Sequence, residues 1–109
     1  MSDVIRLVKG DELPVIILTL TDDQTNAALD LTNSTVAIKF RAVGTTTVLS
    51  TITCAKTNDP GTDGKVQFDF SNGVLDVDEG MYEGEIKITE NNKLHTVYDV
   101  LKFRVRSNF

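Results

Sequence analysis

Apolar and polar residues alternate with a period of two over most of this chain, and no stretch carries the apolar stripe of an amphipathic helix. The clearest predicted strand, C, covers Thr35–Ala42, where Val36, Ile38 and Phe40 share one face and Ala37, Lys39 and Arg41 the other. Strand E (Lys65–Phe70) sets Val66, Phe68 and Phe70 against Lys65, Gln67 and Asp69. Strand F (Met81–Thr89) sets Tyr82, Gly84, Ile86 and Ile88 against Glu83, Glu85 and Lys87. Strands A (Val4–Val8), B (Val15–Thr21), D (Thr47–Ala55) and a long G (Lys93–Arg106) complete the set. Ile16, Leu18 and Leu20 share one face of B, Val48, Ile52 and Cys54 share a face of D with Ser50, and Val97, Leu101, Phe103 and Val105 share one face of G.

Turn chemistry separates these strands. Pro14 stands where a strand can begin without needing its N–H, and Asn58 to Gly64 is dense in turn formers. Asn91-Asn92 suits a tight hairpin, because asparagine tolerates positive φ. The longer polar connections 22–34 and 71–80 suit crossings between sheets. Seven short strands with one apolar face each predict an all-β, seven-stranded antiparallel sandwich, with residues 1–109 as one domain. Fourteen threonines favour sheet over helix.

Composition narrows the function classes. The chain has 109 residues, is 40% hydrophobic and 25% charged, and carries a net charge of −5. That balance argues against nucleic acid or anionic membrane as a partner held by bulk charge. The longest apolar run, Val15 to Leu18, is too short to cross a bilayer. The first ten residues show no signal-peptide pattern, so synthesis in the cytoplasm without export is expected. One cysteine, Cys54, cannot form a disulfide within the chain.

Candidate chemistry is sparse. His95 is the single histidine, and Cys54 lies on a different predicted strand, so neither a nucleophilic pair nor a zinc site is assembled. The stretch Asp59 to Gly64 lacks the alternating carboxylates and terminal glutamate of an EF-hand, and its carboxylates suit turn capping. No glycine-rich phosphate loop is present, and no tryptophan supplies a sugar-stacking platform. The expectation is no catalytic residue, no cofactor and no metal. Lys39 and Arg41 on C, Glu83 and Glu85 on F, and Lys102, Arg104 and Arg106 on G should form a mixed-charge outer face if F lies between C and G. The outward apolar positions Val15 and Ile17 on B, and Tyr98 and Val100 on G, depart from the polar rule and form the candidate protein interface.

In order along the chain stand Lys9-Gly10-Asp11, Leu13-Pro14, Thr19-Leu20-Thr21-Asp22, Asp30-Leu31-Thr32, Thr35 to Arg41, Gly64 to Phe68, Asp78-Glu79-Gly80-Met81-Tyr82 and Phe103-Arg104-Val105. This succession resembles the immunoglobulin-like N-terminal domain of bacteriophage baseplate upper proteins. The likeness implies an immunoglobulin-like sandwich and a non-enzymatic structural role in a phage virion, on tail, baseplate or capsid. Its implied partners are other virion proteins and copies of itself, as a trimer or hexamer, with no nucleic acid and no membrane. A sandwich that binds carbohydrate or a host surface is the competing expectation; an aromatic-lined groove would favour it.

Overall fold

A computed structural model describes residues 4–22, 24–58, 61–97 and 100–108. These residues form nine strands and no helix: β1 (Val4–Val8), β2 (Ile16–Thr19), β3 (Ser34–Ala42), β4 (Ser50–Thr53), β5 (Ala55–Lys56), β6 (Lys65–Phe68), β7 (Gly80–Glu90), β8 (Lys93–Thr96) and β9 (Leu101–Arg106). The larger sheet runs β1-β9-β7-β3-β4, with β8 also paired to β7, and the smaller sheet runs β2-β6-β5. Predicted F therefore lies between C and G, as the charge argument required.

Two of the seven predicted strands are divided. Predicted D crosses between sheets at Cys54: β4 pairs with β3 on one side, while β5 pairs with β6 on the other. Predicted G corresponds to β8 and β9, which meet β7 in different registers. The register passes from Lys87↔Thr96 to Gly84↔Leu101, so two residues of β7 oppose four on the returning strand. The antiparallel expectation also needs one correction, because β1 pairs with β9 in parallel. A parallel pair needs a long connection, and here almost the whole chain provides it.

The Asn91-Asn92 hairpin forms as expected, with φ of 50° and 63° at its two residues and Glu90 opposite Lys93. Inward side chains of both sheets make one buried cluster that includes Leu18, Ile38, Phe40, Phe68, Ile86, Leu101 and Phe103. Phe68, Phe70, Phe103, Phe40 and Tyr82 form a continuous aromatic chain with successive centroid separations of 5.7, 5.9, 5.6 and 5.1 Å. The Phe70–Phe103 contact, at 87° between planes, joins the smaller sheet to the larger. The Tyr82 hydroxyl donates to the Asp78 carbonyl and ties the crossing before β7 back to the sheet.

Four core residues lie outside the predicted inward set: Leu7 on β1, and Leu31, Val74 and Leu75 in the connections. The two polar connections thus plug the ends of the sandwich with their few apolar residues. Val48, expected on the face of Ile52, precedes β4 and is exposed, because the strand begins only at Ser50. Ile16 also moves the other way. It opens β2 at the end of the smaller sheet and is half-buried, packing against the core from its rim.

Candidate assembly surfaces

The smaller sheet ends at β2, and its exposed edge brings two features together. By the alternation of an antiparallel ladder, the bond from Leu20 N–H to Gly64 O (2.8 Å) directs the backbone groups of even-numbered residues toward β6. Those of Ile17 then point away from the sheet. The outward side chains of Ile17 on this strand and of Val15 just before it are 58% and 47% exposed. An apolar strand with open backbone groups is the physical prerequisite for adding a partner strand.

The second predicted pair is placed differently. Val100 is half-buried just before β9 in the larger sheet, and Tyr98 lies outside the described residues. Val100 therefore adjoins the larger sheet, and Val15 and Ile17 the smaller one. β9 is also no edge strand, since β1 covers its outer side. The apolar exposure missed in the sequence gathers where strands of the larger sheet meet the 43–49 turn: Val43, Leu49 and Met81. Its signal was available in the outward phase of Met81 opposite Arg104.

The outer face of the larger sheet pairs charges as register dictates. Lys39 lies across from Glu85 and Arg41 across from Glu83. Arg41 Nε reaches Glu83 Oε1 at 2.8 Å, and Lys87 Nζ reaches Glu85 Oε1 at 3.0 Å. Three loop carboxylates cap turns. Asp22 accepts from the Gln24 N–H, Asp30 from Thr32, and Asp63 from Asn58 Nδ2 and the Lys65 N–H. Hydrogen bonds from Thr32 and from Asn58 hold the Asp30 and Asp63 carboxyls below the ordinary carboxylate value. Among the described residues no group of three or more His, Cys, Asp and Glu side chains is placed to hold a metal.

His95 stands on β8 and Cys54 at the β4–β5 crossing, with β7 and β3 between them. Two intervening strands at the usual spacing separate them by roughly 14 Å. Cys54 borders a cleft of about 300 Å³ lined by Ser34, Thr35, Val36, Thr53, Lys56 and Val66. No aromatic ring lines it. Burial pushes the Cys54 thiol up to about 12, so little thiolate exists at neutral pH. Thiol-reagent labelling of the native protein should be far slower than in denaturant; equal rates would overturn this placement. The sign for stability follows from the same shift. The thiol stays protonated when folded, so its contribution is full below the ordinary value of 9.0 and declines as pH rises from there toward 12.

No protein-family model matches the chain, and neither does any curated protein. Among solved structures, the N-terminal domain of phage TP901-1 ORF48 superposes with a TM-score of 0.63 at 12% sequence identity. The superposition covers 98% of this chain and 86% of that one, so the two share an all-β fold along nearly the whole length described here.

Proposed function

We propose that this protein is a non-enzymatic structural component of a phage virion: an immunoglobulin-like sandwich repeated around a rotation axis, as a trimer or hexamer, and docked onto tail, baseplate or capsid proteins. The observation that carries this reading is the fold shared with a domain of a phage protein. The strand order supports the immunoglobulin-like topology, with β1, β9, β7 and β3 facing a second sheet built on β2 and β6. The exposed edge at β2 supports assembly through protein contacts, because a monomer has no use for outward Val15 and Ile17. Its site of action is the particle, with synthesis in the host cytoplasm.

Mass spectrometry of purified virions tests the role directly. The protein should be present at a copy number that is a multiple of three or six, and its absence from particles would overturn the reading. Val15→Ser with Ile17→Thr tests the β2 edge. Both side chains are solvent-facing, so the melting temperature should stay nearly unchanged while incorporation into particles falls several-fold. Full incorporation of the variant would remove β2 from the interface.

A further inference from the structure

We infer that the outer face of the larger sheet, where β1, β9 and β7 meet, is a docking surface for the acidic loop end of a second copy of this chain; this rests on the reading of the protein as an assembling subunit. The cations on that face exceed what its ion pairs use. Parallel pairing sets Arg6 directly beside Arg104 and Val4 beside Lys102. On the other side of β9, Arg104 meets Met81 and Lys102 meets Glu83. The Glu83 carboxylate is already held by Arg41. Arg6, Lys102 and Arg104 thus have no carboxylate within ion-pair distance among the described residues, and Arg104 reaches only the Met81 sulfur, at 3.8 Å. Like charges side by side oppose folding slightly, so this arrangement is not explained by the stability of the monomer. Exposed Val4, Val43 and Met81 lie on the same face. Arginine and methionine beside aliphatic groups make the composition of an interface centre.

The complement is on the same molecule. The face carries seven of the chain's eleven cationic residues and only two carboxylates among the described residues, which leaves the rest of the surface strongly acidic. At the end of the sandwich formed by the 22–33 and 57–64 loops, Asp22, Asp30 and Asp63 are occupied by their own turns. The opposite end differs. There the 9–15 and 71–79 loops are joined by the Gly10 N–H bond to Leu75 O at 2.9 Å. They present Asp11, Glu12, Asp76 and Asp78, all exposed, whose side-chain carboxylates accept no hydrogen bond among the described residues. Cationic face and acidic end are different patches, so the contact is heterologous. Each copy keeps one patch of each kind open, and the assembly grows until it closes into a ring.

Light scattering on the purified full chain tests this. At low ionic strength the mass should rise above 12.0 kDa with concentration. It should return to the monomer value in about 0.5 M salt, where screening reaches within a few Å. Arg6→Glu with Arg104→Glu, and separately Asp76→Lys with Asp78→Lys, should each abolish association while leaving the melting curve in place. Mixing the two variants should restore it, because each supplies the patch the other lacks. A chain that stays monomeric at low salt overturns the inference, as does association indifferent to both charge reversals. Folded variants that fail to associate on mixing overturn it too. Association that survives salt and charge reversal but is lost in the Val15 and Ile17 variant moves the contact to β2. In each of these outcomes, virion content measured by mass spectrometry still decides the proposed function separately.

Discussion

Phe103→Ala is expected to destabilise the protein by about 3–5 kcal/mol. Phe103 is fully buried on β9 and stands at the centre of the aromatic chain, touching Phe40 on its own sheet and Phe70 from the other. Truncation removes the ring and leaves a cavity between two sheets whose backbones are fixed by their ladders, so the space cannot close by a small local shift. A domain of this size is ordinarily stable by about 5–15 kcal/mol, so the variant should retain a small fraction of the native margin. Urea titration measures it through a large fall in midpoint. A loss below about 1 kcal/mol would show that the sheets are not held together at Phe103.

The second large effect comes from adding atoms. Gly84 lies in the middle of β7, between Phe40 on β3 and Leu101 on β9. A Cβ there would sit 2.7 Å from Ile38 Cγ2 and 3.0 Å from Phe103 Cε2. Neither neighbour is the end of a flexible chain. Gly84→Ala should therefore cost about 1–3 kcal/mol through overpacking, despite the better strand propensity of alanine. Ile38→Ala removes the closest atom. The double variant should be less unstable than the two single losses added together, the sign of coupling between touching side chains. Strict additivity in the same titration would place Gly84 away from Ile38.

These two sites also show how much of the fold was legible in the sequence. Inward phase alone identified Phe40, Phe68, Ile86 and Phe103 as one core, because alternation reports which face of a sheet meets the interior. Alternation does not report which sheet. At Cys54 the chain leaves the larger sheet for the smaller without a change of phase, so β4 and β5 read as one strand. The shift of register between β8 and β9 is hidden for a related reason. It inserts an even number of residues, so Val97 and Leu101 stay in phase across the break. Leu31, Val74 and Leu75 were missed because an isolated apolar residue in a polar connection has no periodicity to betray its burial. Of the candidate interface, Val15 and Ile17 are exposed as the sequence implied, while Val100 is half-buried. The Arg6–Arg104 juxtaposition required the parallel register, which a pattern of single strands does not contain.

That parallel register has a consequence for biosynthesis. β1 is the first described strand to leave the ribosome, and its ladder partner β9 is the last. Every other strand of the larger sheet can find a neighbour while translation continues, but Val4–Val8 must wait for Leu101–Arg106 to emerge. The final sheet is therefore closed only after elongation has passed β9, and the apolar row of Ile5 and Leu7 is offered to the nascent chain's surroundings until then. A permuted chain reopened at Asn91-Asn92, with its original ends joined, would bring β9 and β1 off the ribosome in succession and turn the slowest pairing into a nearly local one.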